Sequence, residues 1–136
     1  MVTATVAAPL LAPAYPAVQA VLQDYAEGIF FGDVARLRSA FHPDARLFGM
    51  VKGQLYDKLL EEYLAVVATR QSPSQLGEPF HMRLLTLEVQ GSIALARLHC
   101  PMLGFNYIDF LSLRLQGERW QIVSKLFTHL NQQAFA

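Results

Sequence analysis

Apolar residues recur every three or four positions along the first half of the chain, a spacing that predicts amphipathic helices. One stripe consists of Val18, Leu22, Tyr25 and Ile29. It predicts a first helix that begins after Pro16 and stops at Gly32. A second stripe consists of Val34, Leu37 and Phe41. It predicts a second helix, capped by Asp33 and ended by the turn at Pro43 and Asp44.

Shorter apolar segments follow and predict two short strands, Arg46–Met50 and Val51–Leu55. Asp57 is then the candidate N-cap of a third helix over residues 58–69. The residues on its predicted buried side are Leu59, Tyr63 and Val66.

The second half of the chain alternates apolar and polar residues and predicts four strands. They are Phe80–Gln90, Ile93–Met102, Phe105–Gln116 and Arg119–His129. Short turns containing glycine join them into an antiparallel meander. If each turn has two residues, one sheet face is apolar and packs under the helices, with His81, Arg83 and Asp109 at one end of it. The opposite face mixes apolar residues with arginines and Lys125.

Length and charge limit what the chain can do. Its 136 residues fit one domain, which we place at 17–130, with an N-terminal tail or arm at 1–16 and a C-terminal tail at 131–136. Residues 1–16 have the features of neither a signal peptide nor a membrane span. The 11 basic and 11 acidic residues balance, so we expect no nucleic-acid or membrane partner. The single cysteine, Cys100, excludes an intramolecular disulfide and suits a cytoplasmic protein.

The outer face of the predicted meander carries more apolar area than the helices can also cover, which favours a second subunit. The low content of charged residues, 16% of the chain, agrees with a buried contact surface. We therefore predict a homodimer. The predicted contact residues are Ile108, Phe110, Lys125 and Phe127.

Several short segments, taken in order and spacing, carry a family resemblance: Tyr25–Gly28 with Gly32-Asp33, Ala40–Ala45, Ser72-Pro73, Ile93–Ala96, Asp109–Leu113 and Trp120–Lys125. Through them the chain resembles the nuclear transport factor 2-like superfamily, and most of all its "putative lumazine-binding" or polyketide cyclase-like (SnoaL-like) branch. The resemblance implies an α+β cone, in which three N-terminal helices pack on a curved antiparallel sheet that ends in a four-strand meander. It also implies dimers formed through the open sheet face. The superfamily holds isomerases, dehydratases, cyclases and non-enzymatic binding modules, so the resemblance does not select one function.

Asp109 is the main candidate for chemistry because it is an isolated carboxylate on the predicted apolar inner face. Arg83 and His81 are predicted near the same end of the sheet. Three roles stay open for Asp109: an ion pair with Arg83 that only stabilises the fold, contact with a ligand, and proton transfer as a general base. In the enzymes that the chain resembles, an inward acid does such work.

His42 is predicted at the end of the second helix, where it either caps the helix or contacts a ligand. The histidines lack the close spacings of metal ligands, so we expect no metal site. Lys125 is predicted on the outer face opposite Phe110, and Cys100 is predicted to be a buried, inert thiol.

We predict a small-molecule-binding protein that holds an apolar or ring-shaped ligand between the helices and the concave sheet face. The predicted pocket residues are Tyr25, Phe41, Tyr63, His81, Arg83, Cys100 and Tyr107. The alternative is a cofactor-free isomerase, dehydratase or cyclase with Asp109 as general base and His42, His81 or Arg83 polarising the substrate. The sequence has no phosphate-binding glycine loop and no nucleophile elbow. We expect no cofactor.

Overall fold

Three helices and six strands make up residues 14–130, the part of the chain that the computed structural model describes. The helices are α1 (Ala14–Phe31), α2 (Val34–Ser39) and α3 (Leu60–Thr69). The strands are β1 (Phe41–Val51), β2 (Gln54–Leu59), β3 (Arg83–Gln90), β4 (Ile93–Met102), β5 (Phe105–Gln116) and β6 (Arg119–Leu130). Most of the predicted N-terminal tail and all of the predicted C-terminal tail lie outside the described residues. Within residues 14–130, no helix is long and apolar enough to cross a membrane.

Helix α1 begins at Ala14 and not after Pro16. Pro16 lies in the first turn, where backbone N–H groups have no helical acceptor and a proline is tolerated. The predicted apolar stripe is buried as expected: Val18, Leu22, Tyr25 and Ile29.

Helix α2 begins as predicted and ends earlier than predicted. The Asp33 carboxylate caps it by accepting a hydrogen bond from the Arg36 backbone N–H at 3.1 Å. The helix stops at Ser39, and Phe41 starts strand β1, because that strand pairs in parallel with β6, with Phe41 opposite Ile122. The prediction that Phe41 belongs to the second helix is therefore wrong.

Helix α3 begins at Leu60, so the predicted cap at Asp57 is wrong and Asp57 belongs to strand β2. The N-cap is Leu59, whose backbone N–H donates to the Glu62 carboxylate at 2.7 Å. The predicted buried side is also shifted, because Leu59 is exposed. The buried residues of α3 are Leu60, Tyr63, Leu64 and Val67.

The sheet has the strand order β2-β1-β6-β5-β4-β3. Only the β1–β6 pair of this sheet is parallel, and the last four strands form the predicted antiparallel meander. The helices cover one side of the sheet, which we call the inner face. Its fully buried residues include Leu47, Ala96, Leu111, Leu113 and Ile122. The opposite side is called the outer face.

Two β-bulges change which residues reach the inner face. In β6, Leu113 pairs with Ile122 and Ser112 pairs with Ser124, so Val123 is an extra residue. Beyond it the alternation of β6 reverses, and Lys125 and Phe127 turn to the inner face, where both are buried. The prediction that these two residues lie on the outer face is therefore wrong.

The second bulge lies in β3. Leu84 pairs with Leu98 and Thr86 pairs with Arg97, which leaves Leu85 as an extra residue. Arg83 consequently lies opposite His99, and its side chain is exposed. The predicted position of Arg83 on the inner face is wrong for this reason.

Candidate functional site

A cavity of about 90 Å³ lies between helix α3 and the inner face of the sheet. It is lined by Val51, Tyr56, Tyr63, Val66, Arg70, Met102, Tyr107, Asp109, Lys125 and Phe127. A cavity of this volume can hold several ordered water molecules or a small ligand. Tyr56, Arg70 and Tyr107 are only half-buried and form the more accessible side of the cavity.

Asp109 lies on the inner face, as predicted, and only 2% of it is exposed. The Tyr25 hydroxyl of α1 donates to its Oδ2 at 2.5 Å, and the Cys100 thiol of β4 donates to the same oxygen at 3.5 Å. No side chain among residues 14–130 donates a hydrogen bond to the second oxygen, Oδ1. Side chains from α1 and β4 thus fix this carboxylate through one oxygen, and Asp109 itself lines the cavity.

Lys125 is 4% exposed and sits among aromatic rings. Its Nζ donates to the Tyr63 hydroxyl at 3.3 Å. The same nitrogen lies 4.6 Å from the Tyr63 ring centroid and 4.7 Å from that of Phe127. Ring faces attract a cation, so these contacts stabilise the buried ammonium. In the part of the chain that the structure describes, no ion pair joins Lys125 directly to Asp109.

The electrostatics of the cavity keep Lys125 charged and keep Tyr25 and Cys100 neutral. Burial lowers the pKa of Lys125, but Tyr63 and Asp109 outweigh burial, so the net pKa is raised. Burial, followed by the negative charge of Asp109, raises the pKa of both Tyr25 and Cys100 well above their ordinary values. Both groups therefore keep the protons that they donate to Asp109.

Arg70 adds a second cation to the cavity. It is the C-cap of α3, where its backbone N–H donates to the Val66 carbonyl at 3.1 Å. The Nη2 atom of its guanidinium is buried and has no hydrogen-bond acceptor among the described residues. Arg70 is not among the residues predicted from the sequence, although Tyr63, Val66 and Arg70 follow the three- and four-residue spacing of one helix face.

Several predicted site residues lie away from this cavity. His42 is in strand β1, where its Nδ1 accepts a hydrogen bond from the Asp44 backbone N–H at 3.0 Å, so it caps no helix. His81 and Arg83 are exposed, and the predicted Arg83–Asp109 pair does not form because of the bulge in β3. Phe41 is buried behind the cavity, with its ring centroid 6.4 Å from that of Tyr63.

Other predicted residues do come together at the cavity. Tyr63, Tyr107 and Asp109 line it. Tyr25 and Cys100 donate hydrogen bonds to Asp109. Among residues 14–130, histidine, cysteine and acidic side chains form no group of three that could bind a metal ion.

An apolar groove of about 490 Å³ crosses the outer face. It is lined by Phe48, Gly49, Met50, Leu55, Asp57, Ile108, Phe110, Leu126, Phe127 and Thr128. Phe110 is 45% exposed and Leu126 is 54% exposed. We call this surface the outer groove.

The chain shares its fold, a six-stranded sheet covered on one side by three helices, with solved structures described as nuclear transport factor 2-like proteins. Residues 14–128 match the family described as "Putative lumazine-binding". The chain belongs to that family.

Solved structures share the fold over nearly the whole chain. A nuclear transport factor 2-like protein of unknown function from Shewanella baltica is 25% identical, with a TM-score of 0.77 over 90% of this chain and 98% of that one. Another from Silicibacter pomeroyi is 23% identical, with a TM-score of 0.75 over 87% and 97%. The curated protein aldolase FrzH from Cladobotryum sp is 27% identical over 113 residues, which is 83% of this chain and 89% of FrzH.

Proposed function

We propose that the protein binds a small molecule in the cavity between α3 and the inner face. The observation that carries this proposal is the pair of buried, oppositely charged groups, Asp109 and Lys125, which line the same cavity without a direct ion pair. Burying a charge costs several kcal/mol, which is comparable to the net free energy of unfolding of a domain. The cost is offset only when the charge has a close partner. Such an arrangement is typical of a site that serves a ligand.

The polar atoms of the cavity define what the ligand offers. An ammonium has three N–H donors, and Lys125 directs one of them to Tyr63. The remaining N–H groups of Lys125 can donate to an oxygen of the ligand. Asp109 Oδ1 can accept a hydrogen bond from an N–H or O–H group of the ligand. The apolar part of the ligand would contact Met102, Phe127 and Tyr56. A ring-shaped body larger than the cavity would extend past the half-buried tyrosines.

A cavity-filling variant tests this proposal. Val66 lines the cavity, so Val66→Phe should fill it, whereas Ala65→Phe places the same ring on the exposed side of the same helix. Small fragments screened by ligand-observed NMR should bind the unmodified protein and Ala65→Phe, and should lose binding to Val66→Phe. Fragments that bind all three proteins equally, or none that bind the unmodified protein, would contradict the proposal.

We further propose that the outer groove docks a second copy of this chain. The support is its group of exposed apolar side chains, which includes Phe48, Leu55, Phe110 and Leu126. Of the predicted contact residues, Ile108 and Phe110 border the groove from the outer face. Phe127 lines both the groove and the cavity, and Lys125 lines only the cavity. Cytoplasmic location stays a prediction.

A second candidate function is cofactor-free proton transfer with Asp109 as general base. It is favoured by a carboxylate oxygen and an ammonium facing one cavity, because the base can remove a proton next to a carbonyl while the cation stabilises the resulting enolate oxygen. Isomerases, dehydratases and cyclases use such a step, and so does an aldol reaction, the activity named for FrzH.

Proton transfer can be measured without the natural substrate. Short keto compounds incubated in deuterated water with the protein should gain deuterium next to the carbonyl. Asp109→Asn should slow this exchange by about 10²–10⁴, the usual contribution of a general base. If Asp109 only stabilises the fold, Asp109→Asn lowers the melting temperature and leaves any exchange rate unchanged.

A further inference from the structure

Arg70 brings to the cavity a buried hydrogen-bond donor that has no acceptor among the described residues. Its guanidinium lines the cavity, and Nη2 is buried without an acceptor among residues 14–130. A buried donor without an acceptor loses the hydrogen bond that it would make to water, so an acceptor on a ligand is favoured at this atom. Among the described residues, ion pairs form at Arg36 and Arg38, and none forms at Arg70.

The charges that line the cavity do not balance. Arg70 and Lys125 are positive and Asp109 is negative, so these three groups carry one excess positive charge. The half-buried hydroxyls of Tyr56 and Tyr107 stay neutral, because burial raises the pKa of each. A ligand with a single negative charge would neutralise the cavity.

The shape of the guanidinium selects among anions. Its planar fork of N–H donors matches the two oxygens of a carboxylate. We propose that the cavity is selective for small monocarboxylates, with the carboxylate on Arg70 and a second ligand oxygen on Lys125. This inference rests on the proposed binding function and specifies its ligand class. The volume of about 90 Å³ limits the enclosed part of the ligand to a few heavy atoms beyond the carboxylate.

Two probes of equal size test the inference. Pyruvate carries the carboxylate and the second oxygen, and pyruvamide replaces the carboxylate by a neutral amide. Titration of the full chain by ligand-observed NMR should give pyruvate a dissociation constant at least about tenfold lower than that of pyruvamide. Inorganic phosphate, which is tetrahedral and more highly charged, should bind more weakly than pyruvate.

Arginine variants locate the effect. Arg70→Gln should abolish the preference for pyruvate, so that pyruvate and pyruvamide bind with equal dissociation constants. Arg83→Gln removes the same charge from an exposed position and should change neither constant. If Arg70→Gln does not fold, Arg70→Lys keeps the charge without the fork of donors and should reduce the preference for pyruvate over pyruvamide.

Three results would overturn the inference: equal binding of pyruvate and pyruvamide, tighter binding of phosphate, or equal effects of Arg70→Gln and Arg83→Gln. If only the preference for monocarboxylates is wrong, neutral fragments will still bind the unmodified protein, and Val66→Phe will still abolish their binding. If no fragment and no probe binds the unmodified protein, the proposed binding function fails together with the inference.

Discussion

Replacing Tyr25 by phenylalanine removes one oxygen atom and isolates the hydrogen bond that holds Asp109. The hydroxyl donates to Oδ2 at 2.5 Å, and both side chains are buried. A hydrogen bond to a charged group contributes about 1.5–3 kcal/mol, and the Cys100 thiol that remains is a weak donor. The ring still packs edge-on against Phe41, so little apolar contact is lost. We expect Tyr25→Phe to lower the free energy of unfolding by about 2 kcal/mol.

Urea denaturation followed by fluorescence measures this loss, because Trp120 is the only tryptophan and is buried. At about 3–6 °C per kcal/mol for a domain of this length, the melting temperature falls by roughly 6–12 °C. Tyr15→Phe on the same helix is the control, since the Tyr15 hydroxyl makes no hydrogen bond within residues 14–130 and its removal should cost less than about 0.5 kcal/mol. In an Asp109→Asn background the Tyr25→Phe loss should shrink. A loss for Tyr25→Phe no larger than that for Tyr15→Phe would refute the reasoning.

Three further predictions test other parts of the structure. Phe110→Glu places a charge in the outer groove and should split the proposed dimer, and light scattering that gives the unmodified protein the mass of one subunit at micromolar concentration would end that proposal. Because folding raises the pKa of Lys125 above its ordinary 10.5, the charge stabilises the fold below that pH and the contribution is lost as pH rises through the folded pKa. Stability should therefore fall more steeply above pH 10.5 for the unmodified protein than for Lys125→Met, and parallel curves would be inconsistent with a buried ammonium. Gly49→Ala would bring a Cβ within 2.4 Å of the Phe127 ring and should cost about 1–3 kcal/mol, so an unchanged urea midpoint would count against that contact.

Features determined by nearby residues are predictable from the sequence. The buried stripe through Tyr25 follows from helical spacing, and the Asp33 cap follows from the preference of a short acidic side chain for that position. The two-residue turn between β4 and β5 fixes their register, which correctly places Asp109 opposite Leu98 on the inner face. These features depend on contacts within one helix or one hairpin.

Features determined by distant contacts are not predictable in the same way. Nothing in the local alternation of β6 marks Val123 as an extra residue, yet this bulge moves Lys125 from the outer face into the cavity. Phe41 continues the apolar spacing of α2, but pairing with β6, far along the chain, makes it a strand residue. The polar centre of the cavity therefore could be only half predicted, with Asp109 included and Lys125 excluded.

A crystal structure of the protein as purified, with the cavity inspected for bound molecules, tests the binding role of the cavity most directly. We expect electron density for a small molecule within hydrogen-bond distance of Lys125 Nζ and Asp109 Oδ1, with a planar group on the Arg70 guanidinium. A direct Lys125–Asp109 ion pair that fills the cavity, with bound molecules confined to the outer groove, would contradict the proposed site.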